Sequence, residues 1–288
     1  MREFLLLILS LFIPVVLWVM LVSQYEAYVW NHLLNEEHKT LVLGDSHAKR
    51  IEVEQGLTLA KDGDPYLLPL LNLRRVLATD QSPLLSNVVV TVGPHNFGAL
   101  PENRLNQSQG FESWWSSNGQ RIANALKFRD YVAQSEPPVD FLSCLKFEWL
   151  VLNKGVHKKP AEWNGERAID RMTARRRVQN HEIQQENWFM NDGWQCQFLS
   201  AIVEECGRHD QQLLLLGTPL HPNYHNQVGK NGWRVYKEHL QSLDSLNSHV
   251  TYLSFEKSEW PDSLLMDADH VNDAGGRALG RMIQEYLD

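Results

Sequence analysis

With 288 residues, 43% hydrophobic and 22% charged side chains, the chain has the composition of a globular protein and is too apolar for wholesale disorder. Its formal net charge is −8, spread along the chain, which argues against a sequence-wide affinity for nucleic acid phosphates or anionic lipid headgroups. No nucleic-acid partner is expected. Three cysteines, Cys144, Cys196 and Cys206, are too few for a disulfide scaffold and lack the paired spacing of a zinc site.

At the N-terminus, Phe4 to Val22 is almost wholly apolar and uncharged, a run of about the length that spans a bilayer. This predicts a transmembrane signal anchor over residues 1–23. A cleavable signal peptide is the competing reading, but its apolar core is normally shorter, and no small-x-small pattern stands between Leu21 and Tyr28. Arg2 and the terminal amine precede the run while Glu26, Glu36 and Glu37 follow it, favouring a single-pass protein with its body periplasmic or extracellular. From 24 to 39, Tyr25, Tyr28, Val29, His32 and Leu33 recur at helical spacing and predict a short amphipathic neck.

Beyond the neck, residues 40–288 form roughly 250 positions, enough for one large α/β domain. Short β-rich apolar runs at Leu41 to Leu43, Leu57 to Ala60, Val88 to Val92, Leu213 to Leu216 and Val250 to Leu253 read as buried strands. Helical patterns lie between them, at Leu67 to Leu77 and Trp233 to Leu243. Strands alternating with helices imply a doubly wound parallel sheet of about five strands. A last helix is predicted from about Ala274 to Leu287, with Asn272 or Asp273 as cap and Ala278, Leu279, Met282, Ile283, Tyr286 and Leu287 on one face.

The stretch from about 100 to 191 fits the alternation poorly and reads as a mostly helical insertion. Its basic run Arg175, Arg176, Arg177 suits either an anionic glycan or a solvated helix face, and its tryptophans Trp114, Trp115, Trp163, Trp188 and Trp194 suit either sugar stacking or core packing. Cys196 and Cys206 share one helical pattern, which holds them about 15 Å apart and predicts no bridge between them.

Chemistry concentrates at two places. Leu41-Val-Leu-Gly-Asp-Ser-His47 is an apolar strand that ends at Gly44 and delivers Ser46 into the next turn, and open parallel sheets carry their reactive groups at the carboxyl ends of strands. An ordinary strand-to-helix turn has the same look. The second place is Asp267-Ala-Asp-His270, just before the final helix. A serine hydroxyl needs an imidazole to take its proton, and that imidazole needs an acceptor on its other nitrogen. His270 is the only one of the twelve histidines with an aspartate three positions before it. Thr218-Pro-Leu-His221-Pro-Asn-Tyr224 follows the fourth strand, so His221 and Tyr224 are candidates for the substrate pocket, with a surface loop as the alternative.

With these two blocks the sequence resembles the SGNH (GDSL-type) hydrolase superfamily, whose members start with a strand and Gly-Asp-Ser and finish with Asp-x-x-His before the last helix. The resemblance spans Leu41 to the C-terminus, apart from the insertion. It implies a flavodoxin-like α/β fold, Ser46 as nucleophile, His270 as base and Asp267 as its orienting partner. It also implies an oxyanion hole from the backbone N–H of Ser46, from Gly63 and from Asn96. Two departures stand out: Gly93 and Asn96 are separated by Pro94 and His95, with Phe97 where the family carries Asp, and His47 replaces the Leu of familiar lipases. His47 is similar to the pattern of a bacterial branch that modifies cell-envelope polysaccharides.

The implied activity is that of a membrane-anchored serine esterase or O-acyltransferase, moving an acyl group, acetyl by expectation, to or from a cell-surface glycan. It would need no cofactor or metal and could be served by a polytopic membrane O-acyltransferase partner. A plain carbohydrate or lipid esterase, or a non-catalytic glycan-binding scaffold of the same fold, are the alternatives.

Overall fold

The computed structural model describes residues 37–60, 62–77, 84–105 and 169–288, with side chains omitted for 103–105. The apolar run at Phe4 to Val22, the neck up to residue 36, Trp114, Trp115, Trp163 and Cys144 lie outside these. Among the described residues no helix is long and apolar enough to cross a membrane.

Five strands form one parallel sheet: β1 (Thr40–Gly44), β2 (Gly56–Ala60), β3 (Asn87–Val92), β4 (Gln212–Gly217) and β5 (Val250–Ser254). Their order is β2-β1-β3-β4-β5. Leu41 pairs with Leu57 on one side and Val88 on the other, and Val88 continues to Leu213 and Val250. β1 and the apolar runs Val88 to Val90 of β3 and Leu213 to Leu216 of β4 are covered on both sides, which is why they read as unbroken hydrophobic runs rather than alternating ones.

Successive residues of a strand serve opposite faces. Leu41, Leu43, Val88, Val90, Leu213 and Leu215 join a large core packed by α1 (Leu67–Leu77), and Val42, Val89, Leu214 and Leu216 join a smaller one on the other face. After α1 come α2 (Ala99–Leu105), α3 (Arg171–Asn180), α4 (Trp194–Arg208), the single turn α5 (Pro222–His225), α6 (Lys230–Leu246) and α7 (Asp273–Leu287). Residues of α4 and α6 enter the larger core, while Leu279 and Ile283 of α7 close the smaller.

The helix α7 begins as its sequence indicates, with Asn272 as N-cap accepting from the Gly275 amide at 2.9 Å. Its buried face is different from the expected one. Met282 and Tyr286 are exposed, and Gly276 and Gly280 lie inward instead, where an added Cβ would stand 1.9 Å from the Arg50 carbonyl oxygen and 1.8 Å from that of Glu52. Close backbone approach, which only glycine allows, has rotated the helix toward its smallest side chains.

In the stretch expected as an insertion, the described parts are α2, α3 and a loop leading to α4. Trp188 is buried and donates its indole N–H to the Gly229 carbonyl at 3.0 Å, and Trp194 stacks on Phe198, so both are packing residues. Cys196 and Cys206 are free and buried on α4, and burial pushes both thiols up to about 12.

Candidate active site

In a sheet ordered 2-1-3-4-5 the chain runs outward from β1 to β2, then crosses back to β3, leaving a crevice at the carboxyl ends of β1 and β3. Ser46 follows β1 directly. Gly44 makes that exit with φ +149°, and a Cβ there would stand 2.0 Å from Thr91 Oγ1, so both conformation and space require glycine. The turn is fixed by Asp45, whose Oδ1 accepts from the His47 backbone amide at 3.0 Å.

The candidate base arrives from the other end of the chain. After β5 a loop returns over the sheet and folds on itself, with the Met266 amide donating to the His270 carbonyl at 2.8 Å and Leu265 bridging Val271. This presents His270 to the serine: its Nε2 lies 2.8 Å from Ser46 Oγ, and its Nδ1 lies 2.9 Å from Asp267 Oδ1. Asp267 is buried and its Oδ1 also accepts from the amides of Asp269, at 3.2 Å, and His270, at 2.9 Å. Carboxylate and ring are thus held in one tight turn. Three residues singled out by sequence come together in the order a proton relay needs.

Around this line lies a buried polar cluster. His47 stacks on His270 with ring centroids 4.1 Å apart, and His95 stacks on the far side of His47 at 3.9 Å. Asp45 binds the middle and the far ring of this stack, Oδ1 to His47 Nδ1 at 3.0 Å and Oδ2 to His95 Nε2 at 2.8 Å. Burial opposes ionisation of Asp45, but His47 and His95 outweigh it and hold the carboxyl well below the usual range. Asp269 behaves alike: burial raises it, and His270, His47 and Arg177 together bring it well below. For His270, burial favours the neutral ring, but Asp269 and Asp267 prevail and raise it to about 10. Half-buried His181 meets less compensation, and desolvation brings it down to about 3.

Asn96 ends the short 3-10 turn after β3, is buried, and donates one amide hydrogen to Asp45 Oδ2 at 3.1 Å. A side-chain amide has two such hydrogens, so one remains for another acceptor. Gly63 lies in the turn after β2, at the same edge of the sheet, with φ +70°.

The substrate-pocket candidates are placed differently. The His221 ring accepts from the Asn223 amide at 3.1 Å to cap α5, and its Nε2 lies 3.4 Å from Asp262. Tyr224 is fully buried with its hydroxyl 2.7 Å from His181 Nδ1, so it backs the site rather than lining an open pocket. Both placements have one cause: the loop after β4 is anchored to the His270-bearing loop by the His221 amide, which donates to the Ala268 carbonyl at 2.9 Å.

Sequence patterns also passed over a residue. Arg175 and Arg176 are exposed as a solvated helix face requires, but Arg177, on the inner side of α3, reaches Asp267, Asp269 and His270. In a charged triplet nothing in the sequence marks which member turns inward. Asp45, His95 and Asp269, by contrast, are immediate neighbours of motif residues.

Asp45, His47 and His95, and likewise His47, Asp269 and His270, bring ligand-type atoms near one another. Their rings stack 18° and 24° from parallel, so the nitrogen lone pairs run side by side instead of converging, and the carboxylates are already bound by imidazole or guanidinium. This arrangement suits proton exchange better than a metal ion.

No protein-family model and no curated protein matches the sequence. Among solved structures it is similar to one described as "Crystal Structure of TesA", at 13% identity and a TM-score of 0.39, over 86% of this chain and 97% of that one.

Proposed function

We propose that this chain is a serine esterase or O-acyltransferase that forms an acyl-enzyme on Ser46. The observation that carries the reading is the continuous line Ser46 Oγ, His270 Nε2, His270 Nδ1, Asp267 Oδ1, with links of 2.8 and 2.9 Å, at the switch point of a parallel sheet.

In the first half-reaction Ser46 Oγ attacks the ester carbonyl carbon while His270 Nε2 takes the hydroxyl proton. The resulting oxyanion sits toward the Ser46 backbone N–H, Gly63 and the second amide hydrogen of Asn96; a donor of this kind is worth about 3 kcal/mol where one has been removed. The ester C–O bond then breaks and His270 returns the proton to the leaving alcohol. In the second half-reaction a water or a sugar hydroxyl attacks the acyl-serine, gives its proton to His270, and releases Ser46 with the proton restored.

For the acceptor we favour a cell-surface glycan and for the acyl group acetyl. The support is the apolar run Phe4 to Val22, which would hold the catalytic body at a membrane surface within reach of a membrane-borne acyl donor and of a polytopic O-acyltransferase partner. A digestive esterase gains nothing from such a tether.

The test is covalent labelling of the full-length protein in detergent by a fluorophosphonate probe, beside Ser46→Ala and His270→Ala. Labelling of the wild type alone is expected. A folded wild type that takes no label would defeat the serine mechanism and favour the non-catalytic scaffold.

A further inference from the structure

Arg177 does something that a three-residue relay does not account for. Its Nη1 lies 3.3 Å from Asp267 Oδ2, its Nη2 donates to Asp269 Oδ2 at 3.0 Å, and its Nε faces Asp269 Oδ1. Nη2 is also 3.0 Å from His270 Nδ1, so one guanidinium touches Asp267, Asp269 and His270 together. The planar fork of arginine can hold two carboxylates in one plane at once, which an ammonium cannot.

The charge arithmetic explains why such a residue is needed. A serine relay wants one carboxylate on its imidazole: enough to orient the ring and steady the imidazolium, not so much that the ring stays protonated. Here two buried aspartates flank His270, Asp267 Oδ1 at 2.9 Å and Asp269 Oδ1 at 3.5 Å from the same nitrogen. The pair favours the imidazolium, which cannot accept the Ser46 proton, so any charge that offsets it favours the base form. From the β1 exit His47 stacks on His270 and places its Nε2 3.6 Å from Asp269, but its Nδ1 is committed to Asp45. Behind it stands His95, and beside α3 stands His181 with the Tyr224 hydroxyl, none of them a fixed charge. Arg177 is the permanent cation in contact with both aspartates among the described residues.

We propose that Arg177 is a positioning residue that clamps Asp269 and Asp267 together and offsets part of their negative charge, so that His270 gives up its proton more readily than the two aspartates alone would allow. The inference rests on the serine mechanism above for its purpose, while its physical content concerns His270 alone.

It is therefore tested by a measurement that needs no turnover: the titration of the His270 ring, followed by nitrogen-detected NMR in full-length Ser46→Ala protein, with and without Arg177→Met. Loss of the guanidinium is expected to move the His270 midpoint upward by about one unit or more, and Arg177→Met with Asp269→Asn to bring it back. In the active enzyme the same shift appears as fluorophosphonate labelling slowed by about tenfold at neutral pH, since one unit is a factor of ten in the neutral fraction. Arg177→Lys, which keeps the charge without the fork, should recover part of the loss. An unmoved midpoint, or labelling slowed by one factor at every pH, would overturn the proposal and leave Arg177 a packing residue. Absence of labelling in the wild type, with the midpoint shifted as expected, would defeat the serine mechanism and leave the coupling of Arg177 to His270 standing.

Discussion

The imidazole of His47 lies against that of His270, with ring planes 24° from parallel and centroids 4.1 Å apart, so the residue that follows Ser46 is in contact with the ring that reaches Ser46. His47 is raised in pKa although burial and the His270 charge both lower it, because Asp45 and Asp269 attract its proton more strongly. Two stacked rings compete for positive charge. Each disfavours a proton on the other.

Replacing His47 by Leu removes that competition. The shape is roughly kept, but Asp45 and Asp269 each lose an imidazole partner, and we expect a stability loss of about 1–3 kcal/mol in chemical denaturation. With a competing charge gone, the His270 midpoint should rise. A labelling profile whose pH limb stays where it is in wild type would show that the stack is electrostatically silent.

Activity and stability should move in opposite directions with pH. His270 is raised from 6.5 to about 10 in the folded protein, so its contribution to stability is complete below pH 6.5 and disappears as pH climbs through 10. The labelling rate needs the unprotonated ring and climbs over the same interval. Measured together, the pH profiles of labelling and of melting temperature should cross in wild type. In His270→Gln the part of the melting profile owed to this ring should be absent.

A buried ion pair away from the relay gives a purely structural prediction. Glu256 is fully buried and held by the Tyr236 hydroxyl at 2.5 Å, by Tyr252 and Ser254, and by the Lys237 ammonium at 2.7 Å. Lys237→Met leaves a carboxylate without its cation and should cost about 3 kcal/mol. Adding Glu256→Gln should return most of it. Both variants are expected to label at the wild-type rate once folded.

Gly280→Ala weighs two opposed effects. Alanine favours a helix by about 1 kcal/mol over glycine, but here its Cβ would meet the Glu52 carbonyl oxygen at 1.8 Å, and overpacking of that kind costs about 1–3 kcal/mol. The backbone must move, so the net effect is a loss. Because α7 starts three residues after His270, the labelling rate should fall too, whereas Arg277→Ala, exposed on the same helix, should leave both unchanged.

Much of this could be read from residues alone. Buried parallel strands announce themselves as apolar runs, and Ser46, Asp267 and His270 were marked by position at a strand exit and by a three-residue spacing that one turn can close. What escaped was of two kinds. Gly276 and Gly280 contribute nothing to a hydrophobic pattern, yet they set the face on which α7 packs, leaving Met282 and Tyr286 outside. Arg177 sits in a run of charge whose solvated members hide the buried one, and its partners are 90 and 92 positions further along, from Asp267 to Asp269. Patterns local in sequence cannot report a contact made over that span.

The distance along the chain between Ser46 and His270, 224 residues, also bears on when the two can first meet during synthesis. At ribosomal rates of about 5–20 residues per second, the interval between the two is on the order of tens of seconds. Throughout it the emerging serine has no imidazole partner. Under the proposed mechanism, a polypeptide halted, truncated or degraded from its far end before Asp267 carries an inert hydroxyl.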